Sequence, residues 1–388
     1  MAPIEVVGPG SLHKELPPDR ERPPGGIRAM AARPVTVIQR LAELDGLAEA
    51  WDALAERSGL PMQDYGWARA AAASFAAEGR LHIVAVGVPP AITAVAPLAW
   101  SRSDDGGLEM IGVNELGEPM DFLYATPSAL AALTDALARV RGYLALNRMP
   151  AASSALAALR RSYRGRGKVF CHQVGGWPWI PLDAQWTDPE RQLNPGRRSD
   201  LRRARRLAEK QGPISAEVVL PTPETLEPLL DEAFRVEAAS WKGSEGTALV
   251  SDPTRELFYR RYADAACKQG NLLVCLLRIG QQVAAMQIAV TSGGRFWLLK
   301  IGYDHAFSRC SPGVLLMLET IRYAVARGLH SYEFLGSEEP WTKMWTSHVR
   351  PCVSVRAYPA SLPGMSALAA EVGRLARRRL ARLFRRAP

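Results

Sequence analysis

The sequence predicts a mixed α/β (α+β) fold. It contains two related units, and each is a mostly antiparallel mixed sheet flanked by helices. Two observations predict this fold class. Short, continuously apolar stretches typical of buried strands alternate with longer stretches whose apolar residues have helical spacing. In addition, the order helix–helix–hairpin–strand–helix–strand occurs twice along the chain, more clearly the second time.

The first unit begins with helices and continues with a hairpin. The hairpin is predicted because Pro89 and Pro90 separate two apolar stretches. The predicted elements of this unit are helices at 44–57 and 67–77, strands at 81–88, 91–100, 108–113 and 122–125, and a helix at 128–141.

The second unit repeats this order with clearer boundaries. Its predicted elements are helices at 226–241 and 253–269, strands at 272–279, 282–290 and 295–303, a helix at 311–327, and strands at 330–335 and 353–358. The helix at 311–327 has a strong start, because Ser311 is a good N-cap residue and Pro312 occupies the favoured first position. The first unit shows no obvious counterpart of this helix start.

The chain divides into four segments. A length of 388 residues is typical of two to three domains. Residues 1–33 are rich in Pro, Gly and Arg and have few large apolar side chains, so we expect a flexible tail. The two units occupy 34–185 and 186–360. Residues 361–388 combine apolar side chains with arginines, which predicts a basic amphipathic C-terminal helix.

The composition excludes several classes of protein. With 47% hydrophobic and 22% charged residues, the chain is typical of a folded globular protein. The long apolar stretch 83–100 is interrupted by prolines and is too short for a spanning helix. The N-terminus has no apolar region of a secretory signal, and the five cysteines lack metal-ligand spacing. We therefore expect a cytoplasmic protein without disulfides or a bound metal.

The net charge of +9 is concentrated in two segments. Residues 197–210 carry +5 and residues 366–388 carry +6, so the rest of the chain is nearly neutral. Basic segments of this kind bind phosphates, nucleic acid or acidic lipid, or they are simply solvated surfaces. The sequence leaves both interpretations open.

Three stretches of the second unit together resemble a known family. They are RRSDLRRARRLAEKQG at 197–212, AASWKGSEGTAL at 238–249, and YDHAFSRCSPGVLLML at 303–318 followed by RGLHSYEFLGSEEPWTKMW at 327–345. In this order and spacing they resemble the GNAT superfamily of acyl-CoA N-acyltransferases. Within it, the closest resemblance is to the BioF2-like or CelD-like group, a relative of the Fem peptidyltransferases. The resemblance covers about residues 190–350.

The resemblance implies that an acyl-CoA binds where two parallel strands diverge, with its pyrophosphate at the following loop and helix start. In this chain those residues are Arg309, Cys310, Ser311, Gly313 and Val314. Free backbone N–H groups and the positive end of a helix dipole attract phosphate at such a place in any fold. Pro312 stands where the family pattern has its first glycine and removes one N–H donor. Some relatives use aminoacyl-tRNA, so acetyl-CoA, another acyl-CoA and aminoacyl-tRNA all stay open as donors.

Acylation of an amine needs one group that accepts the amine's proton and another that protonates the leaving thiolate. Glu339 follows a predicted strand end and precedes Pro340, and we predict that it is the base and is partly desolvated. Tyr303 is the candidate proton donor, and Asp304 is a further catalytic candidate. Alternatively, the glutamates of this loop are merely solvated, and Asp304 only shapes a turn.

Two basic–aromatic clusters are candidates for binding the acceptor. Trp241 and Lys242 end a predicted helix in a segment that the resemblance places near the acceptor pocket. Lys343, between Trp341 and Trp345, forms the second cluster and is suited to sugars or acidic groups. Each cluster also has a purely structural interpretation, as a helix end and as a packed surface helix.

The sequence thus favours an acyl-CoA-dependent N-acyltransferase. The resemblance implies that the acceptor is an amine of a small molecule or an amino sugar, in cell-envelope or polysaccharide metabolism. One alternative is an aminoacyl-tRNA-dependent transferase, although no long helical arm is inserted in the second unit. The other is a non-catalytic adaptor that binds acidic surfaces. The C-terminal helix lies either on an anionic membrane, at its inner face, or on its own domain.

Overall fold

The computed structural model describes residues 33–76, 79–102, 106–240 and 251–384, without the side chains of 375 and 378–384. The predicted tail lies outside the described residues except for Arg33, whose Nη2 donates a hydrogen bond to Ser128 Oγ at 3.1 Å. The helices are α1 (Leu41–Asp45), α2 (Ala48–Ala55), α3 (Tyr65–Phe75), α4 (Val113–Leu116), α5 (Pro127–Leu137), α6 (Ser154–Ser162), α7 (Pro195–Glu209), α8 (Pro223–Ala238), α9 (Pro253–Lys268), α10 (Pro312–Ala326) and α11 (Leu362–Phe384).

The strands form two sheets. They are β1 (Val35–Ile38), β2 (Ile83–Val88), β3 (Ala91–Ala96), β4 (Leu98–Trp100), β5 (Gly107–Met110), β6 (Leu123–Tyr124), β7 (Tyr143–Pro150), β8 (Gly167–Pro181), β9 (Ile214–Val219), β10 (Leu272–Ile279), β11 (Gln282–Ser292), β12 (Arg295–Tyr303), β13 (Ser331–Glu333) and β14 (Val349–Pro359). The smaller sheet has the order β1-β2-β3-β6, and the larger has the order β4-β5-β7-β14-β8-β13-β12-β11-β10-β9.

Each half of the larger sheet contains one parallel pair joined through a helix. β5 is parallel to β7, and the chain between them includes α5. β12 is parallel to β13, and the chain between them includes α10. The other pairings within the two sheets are antiparallel. The predicted fold class, two units with mostly antiparallel mixed sheets flanked by helices, is therefore confirmed.

The two halves exchange strands at the centre of the larger sheet. β14, near the end of the chain, lies between β7 and β8 and pairs with both in antiparallel register. β8 then passes from one half to the other, because its last residues, Trp179 to Pro181, pair with Glu333 to Ser331 of β13. The sheet is consequently continuous from the first unit into the second.

A buried ion pair lies at this central junction. The Glu333 side chain is fully buried, and its carboxylate accepts two hydrogen bonds from Arg350 of β14 at 2.7 and 2.9 Å. The indole of Trp177 on β8 and the hydroxyl of Ser331 supply further donors at 3.0 and 2.7 Å. A buried carboxylate needs this level of hydrogen bonding, so the network fixes β8, β13 and β14 against one another.

Helices cover both faces of the second half of the sheet. Along β10, alternate residues such as Leu272 and Val274 pack in the cluster that includes α8 and α9. The intervening residues, such as Leu273 and Cys275, pack in the cluster under α10. Strands buried on both faces are continuously apolar, which is why this half was the easier to predict.

Some predicted elements are wrong in detail. The predicted strand 91–100 is two strands in different sheets, because Pro97 separates β3 from β4 and has no N–H to donate to a ladder. The predicted strand 108–113 ends at Met110, and α4 begins at Val113. The first unit does have a counterpart of the Ser311–Pro312 helix start, since Thr126 caps α5 and Pro127 is its first residue. Strands β1, β7, β8 and β9 were not predicted.

The C-terminal helix α11 begins on its own domain. It contacts β7 and β14, with Ala367 and Leu368 against Tyr143 and Tyr358. The Tyr358 hydroxyl also donates a hydrogen bond to Glu371. Among the described residues, no helix is both long enough and apolar enough to cross a membrane.

Candidate active site

The second parallel strand pair separates after three residues. β12 and β13 are in register only from Arg295 with Ser331 to Trp297 with Glu333. Beyond this point β12 continues to Tyr303, while the other chain segment turns at Leu335 and Gly336, which have φ values of 58° and 57°. Two cavities border the separated strands, a larger one of about 490 Å³ and a smaller one of about 170 Å³.

The larger cavity lies between the end of β12 and the first turn of α10. Its polar lining comes from Ser240, Gln287, Tyr303, Ser308, Ser311 and Glu339. Its apolar lining comes from Met286, Ile301, Pro312, Val314, Met317, Trp341, Met344 and Trp345, together with the glycines at 302 and 313. A largely apolar cavity that borders a helix N-terminus suits a ligand with an apolar part and an anionic end.

The first turn of α10 leaves one amide available at this cavity. Ser311 is in the left-handed region with φ of 48°, and its side chain makes no capping hydrogen bond. The amides of Val314 and Leu315 donate to the Ser311 carbonyl at 3.0 and 3.2 Å. Pro312 has no N–H, and the Gly313 amide finds no acceptor within the described parts of the chain. Because Pro312 has no donor, Gly313 is the residue of this turn that lines the cavity and has an amide without an acceptor among the described residues.

The structure distributes the predicted phosphate-binding residues unevenly. Ser311, Gly313 and Val314 line the larger cavity. Arg309 is exposed and has no ionic partner among the described residues. The Cys310 side chain is fully buried, accepts a hydrogen bond from Gln211 at 3.4 Å, and has a pKa raised by burial. A contact from Cys310 to phosphate would have to come from its backbone.

The three predicted catalytic residues have different surroundings. Tyr303 lines the larger cavity and is partly buried. Glu339 also lines it, but the residue is exposed and its carboxylate accepts a hydrogen bond from the Trp341 indole at 2.7 Å. The carboxylate of Asp304 accepts the Ala306 amide at 2.9 Å and caps the 3-10 helix His305–Cys310. This hydrogen bond is the turn-shaping role that the sequence left open for Asp304.

The predicted acceptor-binding residues are also separated. Trp345 is buried and lines the larger cavity, whereas Lys343 is exposed and lines neither cavity. The segment around them forms turns rather than a helix. Trp241 and Lys242 lie outside the described residues, so their assignment stays a prediction, as do those of the other predicted site residues.

The smaller cavity contains functional groups that the sequence analysis missed. Glu118 reaches it from the first unit, Tyr259 from α9 and Lys300 from β12. Ile301 and Trp341 border both cavities, so the two are neighbours along the separated strands. Glu118 lies in the irregular segment after α4, which has no motif or periodicity, and its position in the cavity depends on tertiary contacts alone.

Burial shifts the pKa values of two side chains that line the smaller cavity, Glu118 and Tyr259. Burial raises the pKa of Glu118 to about 7, although Arg148, the Gly336 amide and Lys300 all lower it. The Lys300 ammonium lies 3.6 Å from the carboxylate of Glu237, which is fully buried. Burial also raises the pKa of the Tyr259 phenol, which therefore keeps its proton at neutral pH. Within the described ranges, no cluster of His, Cys, Asp or Glu is arranged to hold a metal ion.

The basic helix α7 lies beside the start of α10. It packs against the 3-10 helix His305–Cys310 through Leu207 and Ala208. Two of its arginines are paired, Arg203 with Asp200 and Arg205 with Glu190, each at 3.3 Å. Three exposed arginines of α7 have no ionic partner among the described residues, namely Arg197, Arg202 and Arg206.

Comparisons with known proteins agree with this architecture. Residues 195–343 match the family model described as an acetyltransferase (GNAT) domain. The solved structure of FemX is similar with a TM-score of 0.53 and 13% identity, covering 81% of this chain and 96% of FemX. The C-terminal domain of a protein assigned as a lysylphosphatidylglycerol synthetase from Agrobacterium fabrum has a TM-score of 0.52 and 12% identity, covering 86% of this chain and 95% of that domain. No curated protein sequence matches the chain.

The match to the family model and the separated strands beside a helix start define the class of protein. Residues 195–343 match the GNAT acetyltransferase family, so this part of the chain is a GNAT-type acyltransferase domain. The two solved structures extend over both halves of the chain and share its fold.

Proposed function

We propose that the protein is an N-acyltransferase that binds an acyl-CoA in the larger cavity and transfers the acyl group to an amine. The observation that carries this proposal is the position of that cavity, which extends from the first turn of α10 to the separated end of β12. The Gly313 amide and the positive end of the α10 dipole would hold the pyrophosphate. The methionines and Trp345 would contact the apolar parts of the pantetheine arm.

The same geometry supports a direction for the transfer. Ile301 and Trp341 separate the larger cavity from the smaller one. A thioester whose CoA lies in the larger cavity would present its carbonyl carbon at this boundary. The acceptor, an amine of a small molecule or an amino sugar, would then approach through the smaller cavity. Holding both reactants at the boundary supplies much of the rate enhancement.

Aminoacyl-tRNA is the second candidate donor, and α7 is the observation that favours it. Its exposed, unpaired arginines lie on the helix that packs beside the proposed pyrophosphate position. Clustered arginines of this kind bind the phosphates of RNA. FemX and the synthetase domain share the fold, and the name of the synthetase refers to a lysyl-carrying product.

A thermal-shift measurement with acetyl-CoA tests the first proposal. At 100 times its dissociation constant, acetyl-CoA should stabilise the protein by about 2.7 kcal/mol. Gly313→Glu should abolish that stabilisation, because a carboxylate at the first turn repels the pyrophosphate. The variant should still fold, since a Cβ at this position would lie 3.7 Å from Tyr303, an ordinary contact.

The matched control is Ala326→Glu, which places the same side chain at the exposed C-terminal end of α10. Its response to acetyl-CoA should equal that of the wild type. If Gly313→Glu folds and keeps the full response, the donor does not bind at the first turn of α10.

A further inference from the structure

The Glu118 carboxylate is held at the point where the two halves of the molecule meet. Its Oε2 accepts the Gly336 amide at 3.3 Å, and the Gly336 carbonyl accepts a hydrogen bond from Arg148 of β7. Gly336 belongs to the turn that carries the chain away from β12. Two first-unit side chains thus hold one wall of the smaller cavity.

Glu118 is almost wholly enclosed, yet one of its oxygens is available. The residue is 8% exposed and lines the smaller cavity. The Gly336 amide is the one hydrogen-bond donor to this carboxylate among the described residues, and it contacts Oε2. The groups that face Glu118 from the surrounding elements are Arg148 of β7, Tyr259 of α9, Lys300 of β12 and Cys352 of β14.

We propose that Glu118 is the general base of the transfer reaction and that the acceptor's primary amine binds beside it in the smaller cavity. This inference rests on the proposed N-acyl transfer. It adds a catalytic residue from the first unit to a site whose predicted catalytic residues all lie in the second.

The proposed step converts an ammonium and a thioester into an amide and a thiol. The acceptor arrives as an ammonium, and the Glu118 carboxylate accepts one of its protons. The nitrogen lone pair attacks the thioester carbonyl carbon and forms the C–N bond, and collapse of the intermediate breaks the C–S bond. The nitrogen loses its second proton, the CoA thiolate gains one, and Glu118 returns its proton to water. The products are an amide, CoA thiol and one released proton.

The surroundings of Glu118 suit this role. A base works best when its pKa is near the working pH, and burial raises the pKa of this carboxyl to about 7. A protonated Glu118 at lower pH cannot accept the proton, so activity should increase as pH rises through this value. Glu339 differs, because it is exposed and its carboxylate is hydrogen-bonded to Trp341.

The first experiment measures protonation without an acceptor. Infrared spectra of the wild type at pH 5 to 9 are compared with those of Glu118→Gln, which keeps the shape and an acceptor for the Gly336 amide. We expect a carboxylic acid carbonyl band that disappears with a midpoint near pH 7 in the wild type and is missing in the variant. If the two proteins give the same band, Glu118 is already ionised at pH 5 and the inference is wrong.

The second experiment uses methylamine as a minimal primary amine and acetyl-CoA as donor, with CoA release as the readout. We expect kcat/KM for the wild type to rise with a midpoint near pH 7. Glu118→Gln should be at least about 100-fold slower and should lose this pH dependence, with unchanged stabilisation by acetyl-CoA. If Glu118 only positioned Gly336, Glu118→Gln would keep the pH profile of the wild type.

Glu115→Gln is the matched control, because it removes a carboxylate three residues away, in α4. It should keep the wild-type rate and pH profile. A wild-type rate in Glu118→Gln, with a loss of about 100-fold in Glu339→Gln, would overturn the inference while leaving the acyltransferase proposal intact. If acetyl-CoA does not stabilise the wild type, the acyltransferase proposal itself is wrong.

Discussion

Folding shifts the proton equilibrium of Glu118, and this shift makes stability depend on pH. Its pKa is about 7 in the folded protein and 4.5 as a free side chain. Below pH 4.5 the group is protonated in both states, so it has no effect on the pH dependence. Above pH 7 it is charged in both states, and its burial costs about 3 kcal/mol of folding free energy.

Glu118→Gln should therefore be more stable than the wild type at pH 8, by up to about 3 kcal/mol, and should lose most of that advantage at pH 5. Urea unfolding at the two pH values measures the difference. Glu115→Gln, whose carboxylate is partly exposed, should show little change between them. An equal effect of Glu118→Gln at both pH values would show that its carboxyl titrates normally in the folded protein.

The two kinds of site residue differ in how well a sequence reveals them. Ser311, Pro312 and Gly313 were predictable because a helix start has a local chemical pattern. Glu118 was not, because only its tertiary environment distinguishes it from any loop glutamate. Glu339 was predicted from its position after a strand, which indicates a location but says nothing about its exposure.

At the scale of elements, helix α7 carries three exposed arginines that form no ion pair with the described residues. Replacing Arg197, Arg202 and Arg206 by glutamine should weaken binding of tRNA and reduce the slope of log affinity against log salt. The expected reduction is roughly 0.7–0.9 for each phosphate that the variant no longer neutralises. Filter binding or fluorescence anisotropy at several salt concentrations measures the slope.

A second triple variant controls for net charge. Arg139, Arg160 and Arg164 are exposed residues of the first unit, and their replacement by glutamine removes the same three charges. This variant should keep the wild-type slope. If the wild type does not bind tRNA even at low salt, α7 is a solvated surface and the tRNA-dependent alternative has no support.

The missed strand β8 shows where sequence patterns stop being informative. Gly175, Gly176 and Pro178 interrupt its sequence and are typical of turns and loops. Gly176 is nevertheless required within the sheet, because a Cβ there would lie 2.0 Å from the Arg350 carbonyl oxygen of β14. The apolar second-unit strands were predicted because burial on both faces leaves a continuous local signal.

At the scale of the whole molecule, the larger sheet connects the two units more closely than a linear division of the chain suggests. β14 supplies buried residues to the first unit, including Cys352, Val355 and Ala357. β8 in turn pairs with β13 of the second unit. The same exchange brings Glu118 and Arg148 to Gly336, so the smaller cavity depends on both units.

This exchange predicts that neither unit folds alone. We consider fragments 33–182 and 183–388, cut after Leu182 because the predicted boundary at 185 falls inside the 3-10 helix Ala184–Thr187. The first fragment lacks β14, the strand that lies between β7 and β8, so both strands lose their shared partner. The second fragment lacks β8, so the edge of β13 is exposed. The second fragment also keeps Glu333 and Arg350 without the Trp177 donor. Exposed sheet edges and the absence of core residues are together strongly destabilising.

We therefore expect neither fragment to show a cooperative thermal transition by circular dichroism, and we expect both to associate when they are refolded together. The refolded mixture should elute as one species in size-exclusion chromatography and unfold cooperatively at a lower temperature than the intact chain. The lower temperature is expected because association now costs translational entropy that the covalent link had removed. A cooperative transition in fragment 33–182 alone would show that the first unit needs no strand from the second, and that β14 is an addition to an already stable sheet.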